Sequence, residues 1–230
     1  MQGIAKMLKK DTQTVKKNGL NYVIGTDGNP QRFTPWLGDC FSFLYDYIMR
    51  NSVFPKKFDG DMSKHHQILL RELKDVHGKS VLELATGSGS SSNFLLKDNQ
   101  YTGTDISPGL LRRAVKNFRN AGFKNAEFYV TSADDLPFDD GAFDLWLCIL
   151  SLNFFDHIER VIQEVYRVLT SGSIFLCSVP VPERSKPGST IRGKLYREDE
   201  LARMLQENGF GFEIVPDRNG ALLYFSGVKQ

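Results

Sequence analysis

Residues 80–90 read SVLELATGSGS and residues 101–105 read YTGTD. Ser80–Ala85 is an apolar run of strand length, and the small residues Thr86–Ser90 after it read as a turn. A helix through Phe94, Leu95 and Leu96 and a second short strand, Tyr101–Thr104, follow. Strand, glycine turn, helix, strand is the beginning of a parallel α/β sheet.

The alternation continues outward from there. Ser107-Pro108 predicts a helix start, with serine as cap and proline in the first turn, and Leu111, Val115 and Phe118 give that helix one apolar face. Glu127–Val130 reads as a third strand and Phe143–Leu150 as a fourth, apolar on both faces. Asp156 is expected to cap a helix carrying Ile158, Val161, Ile162, Val165, Val168 and Leu169. Ser173–Val179 is a fifth strand, and a helix is expected near Glu198–Asn208. Phe212–Val215 and Leu222–Ser226, joined by a turn at Asp217–Gly220, read as a hairpin. The expected fold is therefore α/β and doubly wound, a mostly parallel seven-stranded sheet with an antiparallel C-terminal hairpin strand. Upstream, residues 1–35 look irregular, Cys40–Asn51 has helical spacing (Phe41, Leu44, Tyr45, Ile48), and Met62–Asp75 is a second helical segment. The expected division is an N-terminal lid or helical extension over 1–60 and a nucleoside-binding domain over 61–230.

Composition narrows the class. A chain of 230 residues, 41% hydrophobic with 17 Phe, builds its core without a metal or disulfide staple. With 29 basic and 27 acidic residues the net charge is +2, which leaves no electrostatic footprint for a long nucleic acid. Apolar stretches such as Leu145–Leu152 are too short to span a bilayer, and Met1–Lys17 has no signal-peptide core, so the expected location is cytoplasmic. Cys40, Cys148 and Cys177 contain no C-x-x-C pair and are read as reduced, the latter two packed in strands. No cluster with metal-ligand spacing is present in the sequence.

In such sheets ligands sit beyond the carboxyl ends of the strands, where the connections diverge. Gly87 and Gly89 there let backbone approach a ligand closely. Asp105 ends the second strand, where a carboxylate can accept from ribose hydroxyls. A dinucleotide site prefers G-x-G-x-x-G, but Gly87-Ser-Gly89-Ser-Ser-Ser92 lacks the third glycine, and no tyrosine has lysine four positions on. Glu83 would repel a pyrophosphate and suits the ammonium and sulfonium charge of S-adenosylmethionine.

With these residues the chain resembles the class I methyltransferases, and within them the ubiquinone/menaquinone-biosynthesis (methyltransferase type 11) family, over roughly Phe41 to Gly227. VLELATGSGS (81–90) is similar to its glycine motif, with Ala85 and Thr86 where glycines are frequent. YTGTDISPGLLRRA (101–114), SADDLPFDDGAFDLWLCIL (132–150) and EVYRVLTSGSIFLCSV (164–179) follow in the family's order. The resemblance implies a Rossmann-like fold with S-adenosyl-L-methionine as cofactor. It implies that Glu83, Thr86, Gly87, Ser88 and Gly89 surround the methionine moiety. Asp105 would hold the ribose, Ile106 would pack on the adenine, Ser132 and Ala133 would border its edge, and Ile149 would lie beneath the ligand. Ser132 stands where the family often has Asp, and Asp134 is either its substitute or a solvated loop acid. Tyr45-Asp46 matches a Tyr-Asp of the quinone-type relatives, and Tyr45 would cover the cofactor or serve as core.

Methyl transfer from a sulfonium needs alignment and exclusion of water, and a base only where the acceptor must lose a proton. His157, His65 and His66 are the candidates for such a base. For His157 an exposed first helical turn is the plainer reading, and one of the His65-His66 pair is expected to face solvent. No N-P-P-Y motif and no Pro-Cys nucleophile occurs; the comparable stretch is Ser151-Leu-Asn-Phe-Phe155. The expected acceptor is a small or lipid-like molecule, bounded by a lid rich in aromatics (Tyr22, Phe33, Trp36, Phe41, Phe43, Phe54, Phe58). A nicotinamide-dependent oxidoreductase and a non-catalytic interaction protein are the competing readings.

Overall fold

A computed structural model describes residues 7–33 and 44–230 of the chain. Its sheet has nine strands among the described residues: β1 (Thr14–Lys17), β2 (Leu20–Val23), β3 (Ser80–Leu84), β4 (Gln100–Asp105), β5 (Ala126–Val130), β6 (Phe143–Ile149), β7 (Leu169–Pro180), β8 (Glu213–Asn219) and β9 (Leu222–Val228). Their order is β1-β2-β5-β4-β3-β6-β7-β9-β8. The run β2-β5-β4-β3-β6-β7 is parallel, and β9 closes against β7 and β8 in antiparallel pairing. The doubly wound sheet and its C-terminal hairpin match expectation.

Two strands exceed the expected seven. Residues 1–35, read as irregular, contain the β1–β2 hairpin, whose turn is Asn18-Gly19 with φ of 53° and 79°. Asn-Gly is the favoured pair for a two-residue hairpin turn, because both central residues take positive φ. β2 then extends the sheet beside β5, where Leu20 and Val23 are buried.

Apolar spacing sets the covering layers. β6 sends Trp146 and Cys148 to one face and Leu145 and Leu147 to the other. The first face is covered by α4 (Ile158–Val168) and α5 (Glu198–Glu207) through Val161, Val165, Leu201 and Leu205. The second is covered by α2 (Met62–Leu73) and α3 (Pro108–Asn120) through Leu69, Leu111 and Phe118. Ser107 caps α3 as expected, its hydroxyl accepting from Leu110 N at 3.1 Å. α1 (Tyr45–Ile48) precedes α2 and runs directly into a π-helical turn, Met49–Phe58.

Two local expectations are corrected. After the glycine turn there is only a 3₁₀ turn, Ser90–Asn93, and no helix through Phe94–Leu96. Its serines spend their hydroxyls locally, Ser92 on the Gly89 carbonyl at 2.8 Å and Ser91 on Glu83, which competes with helix propagation. At α4 the N-cap position is His157, and no side chain caps that helix. Cys148 and Cys177 are buried, unpaired and on adjacent strands, as read; Cys40 lies outside the described residues.

Candidate functional site

β4 and β5 lie to one side of β3, and β6 and β7 to the other. The connections therefore part at the carboxyl ends of β3 and β6, which opens a crevice there. The crevice has two chambers, of about 340 Å³ and 590 Å³, and Ala85, Gly87, Ile149 and Leu150 border both.

The joint between the chambers is built from strained backbone. Ala85 and Leu150, the residues just after β3 and β6, have φ of 49° and 62°. Outside glycine this left-handed conformation costs roughly 1–2 kcal/mol. Ala85 occupies it where the family resemblance places glycine, so the position needs a reversed backbone whichever residue stands there. Gly87 also has positive φ (59°) and lines both chambers. Gly89 lines neither: a Cβ there would meet Ala114 Cα at 2.8 Å, so its part is to let the bend pack on α3.

The first chamber collects the expected nucleoside residues. Asp105 lines it, with Oδ2 accepting from Gly87 N and Oδ1 from Ser107 N, both at 2.9 Å. The carboxylate is thereby held against the bend. Ile106 lines the same chamber with its side chain substantially exposed, and Ser132 and Ala133 form the opposite edge. Ser132 Oγ donates to Asp134 Oδ1, and both residues line the chamber. His157 is exposed at its rim.

The second chamber is lined by Glu83, Thr86, Ser88, His65 and His66, together with residues of α1 and the π-helical turn. Glu83 is 3% exposed; its Oε2 accepts from Ser91 Oγ at 2.5 Å and from the Tyr101 hydroxyl. Its Oε1 has no donor among the described residues. Burial pushes the Glu83 carboxyl up to about 7; the two hydroxyl donors oppose the shift and the charge of Asp105 adds to it. Thr86 Oγ1 bonds the Glu83 carbonyl at 3.2 Å and the Tyr101 hydroxyl at 3.1 Å, which ties the bend to β4.

His65 and His66 behave differently from each other. His65 is 2% exposed, with Nδ1 2.8 Å from the Tyr224 hydroxyl, and burial pushes it down to about 3, with His66 adding. His66 is half-buried, and its pKa is lowered by burial and then by Arg50. Both shifts favour the uncharged imidazole, in which one ring nitrogen keeps its hydrogen and the other accepts. Tyr45 begins α1, but its side chain lies outside the described residues, as do Trp36, Phe41 and Phe43.

Asp46 joins the site, although the Tyr45-Asp46 pair in the sequence by itself assigns it no role. It lines the second chamber, accepts from Ser88 Oγ at 2.6 Å, and pairs with Arg113 of α3. Asn153, in the stretch compared with N-P-P-Y, is buried and gives its amide to the Arg192 carbonyl at 2.7 Å, so its role is to anchor a loop. Among the described residues the polar lining includes a carboxylate held beside an apolar wall in one chamber, and a buried acid, two histidines and Arg50 in the other. It suits a nucleoside bearing a charged amino-acid tail.

Comparison with known proteins agrees. Residues 81–172 match a family model described as a methyltransferase domain. A phthiotriol/phenolphthiotriol dimycocerosates methyltransferase of Mycobacterium ulcerans is 29% identical over 157 residues, covering 63% of this chain and 57% of the relative. The ubiquinone/menaquinone biosynthesis C-methyltransferase of Rickettsia bellii is 30% identical over 116 residues, covering 47% of this chain and 46% of the relative. The chain thus spans about half the length of these two relatives. A crystal structure of an S-adenosylmethionine-dependent methyltransferase from Aquifex aeolicus superposes with a TM-score of 0.63 at 16% identity, covering 82% of this chain and 98% of that one, which establishes the shared fold.

Proposed function

We propose that this chain is a class I S-adenosylmethionine-dependent methyltransferase that transfers a methyl group to a small or lipid-like organic acceptor. The observation that carries the reading is the crevice itself: Asp105 in one chamber and Glu83 in the other, joined at the Ala85–Gly87 bend. When bound, S-adenosylmethionine supplies a methyl group already activated by its sulfonium. Asp105 would accept from the ribose hydroxyls while its bond to Gly87 N holds the bend. Ile106 would cover one face of the adenine, with Ser132 and Ala133 at its edge. Glu83 Oε1 would take the ammonium, and Ile149 and Leu150 would keep water from the joint between the chambers, where the methyl group would lie. The remaining task is alignment of acceptor and methyl, which supplies most of the rate in such a displacement.

A lipid-like acceptor is supported by what the first relative is named for and by two exposed apolar residues that line the chambers, Tyr47 and Phe154. Since β1 and β2 belong to the sheet, the lid in this reading is narrower than residues 1–60 and consists of α1 and the π-helical turn, tied to the bend through Asp46. No helix among the described residues is long and apolar enough to cross a membrane.

Calorimetric titration with S-adenosylmethionine or S-adenosylhomocysteine tests the cofactor half of the reading. Asp105→Ala should abolish most of the binding while the protein still melts cooperatively. Unchanged affinity in that variant would place the nucleoside elsewhere.

A further inference from the structure

The second chamber contains a hydrogen-bond chain that begins in the C-terminal hairpin. Asn219, the last residue of β8, is buried, and its amide orientation is dictated by backbone. Its Oδ1 accepts from Asp61 N at 2.8 Å and its Nδ2 donates to the Asp61 carbonyl at 2.9 Å. The second Nδ2 proton goes to the Tyr224 hydroxyl at 3.1 Å. Tyr224, on β9, therefore accepts from Asn219. A phenol has a single proton to give, and the one remaining partner of this hydroxyl among the described residues is His65 Nδ1, at 2.8 Å. Giving that proton to Nδ1 satisfies the hydroxyl fully, and that arrangement leaves the ring hydrogen on Nε2.

Among the described residues Nε2 has no hydrogen-bond partner and is not one of the fully buried polar atoms left unpaired, and His65 lines the second chamber. The ring is wedged between Phe54, Tyr224 and His66 at centroid distances of 5.1, 5.6 and 6.0 Å. It offers the chamber one rigid N–H donor. The same chamber contains the open Glu83 oxygen, which suits a cation, so an amino-acid tail would have its anionic end left to be met by donors.

We infer that His65 is a positioning residue, locked by Asn219 and Tyr224 as the Nε2–H tautomer, that donates to the α-carboxylate of the cofactor's methionine tail and takes no part as a base. The inference rests on the cofactor reading above. It also explains why the hairpin, remote from the glycine bend in sequence, is packed against α2: it sets which nitrogen faces the ligand.

Two adenosine probes separate the possibilities. S-adenosylhomocysteine has the carboxylate, and 5′-methylthioadenosine has the same nucleoside without the amino-acid tail. In calorimetry on the full chain, His65→Leu is expected to weaken S-adenosylhomocysteine roughly ten- to hundredfold, the range for a hydrogen bond to a charged group. Binding of 5′-methylthioadenosine should stay within about twofold, and His65→Gln, which restores an N–H donor, should recover part of the loss. Should the leucine variant not fold, the lock is read directly in the wild-type protein. Long-range 1H–15N spectra at pH 7 should show one of the four histidines with protonated Nε2 and bare Nδ1, and Tyr224→Phe should mix the tautomers. A wild-type protein that binds neither probe overturns the cofactor reading and this role with it. Binding of S-adenosylhomocysteine that is indifferent to His65→Leu, or a protonated Nδ1 on His65, overturns this role alone.

Discussion

The hydroxyl of Tyr101 on β4 donates to Oε2 of Glu83 on β3, and both groups are buried side by side beneath the glycine bend. A buried carboxylate depends on such donors, because water cannot solvate it there. Tyr101→Phe should therefore cost about 1–3 kcal/mol in urea denaturation at pH 8. At pH 5, where the carboxyl is neutral, the cost should be smaller. An equal cost at both pH values would mean that ring packing, and not the bond to Glu83, is what the hydroxyl supports.

Glu83 itself should make stability depend on pH. Its folded pKa is raised to about 7 from 4.5, so the folded state binds a proton more tightly than the unfolded state. The stability linked to that proton is fully present below about pH 4.5 and is lost as pH rises through about 7. The loss amounts to about 3 kcal/mol by linkage. Denaturation midpoints from pH 5 to pH 8 should fall accordingly, and Glu83→Gln should flatten the trend.

Ala85 pays for a left-handed backbone at the chamber joint. Glycine adopts that conformation freely, at an entropic cost of about 0.5–1 kcal/mol on folding. Ala85→Gly should raise stability by about 0.5–1 kcal/mol, a gain of roughly 1–4 °C in Tm for a chain of this size. A lower melting temperature would show that the Ala85 methyl packs more favourably than its backbone is strained.

Asp46 bridges α1 to the bend through Ser88 and to α3 through Arg113. The pair is substantially exposed, and such pairs contribute about 0–1 kcal/mol, so Asp46→Ala should leave global unfolding almost unchanged. Release of S-adenosylhomocysteine should quicken about three- to tenfold in a stopped-flow chase if α1 closes over the second chamber. An unaltered release rate would mean that this contact does not gate the site.

Much of the sheet was legible because its periodicities are local. β3 and β6 are short apolar runs, β4 is a short run of tyrosine and threonine ahead of Asp105, α3 begins with Ser107-Pro108, and the last two strands flank a turn. What went unread was local too, in part: Asn18-Gly19 between Lys17 and Leu20 is a hairpin signal. The helix expected after Ser90 failed for a reason outside any periodicity, since Ser91 is bonded to Glu83 across the bend.

Within the site, the sequence alone determined which residues would gather at the strand ends, because chain order in a doubly wound sheet delivers the tips of β3, β4 and β6 to one crevice. Only the tertiary structure decided what each one does there. Gly89 proved to serve packing, Asp46 came to rest against the bend, and His65 received its tautomer from Asn219 and Tyr224, more than 150 positions further along the chain. Those roles depend on burial and on hydrogen-bond partners brought together by folding, and no spacing along the chain encodes them.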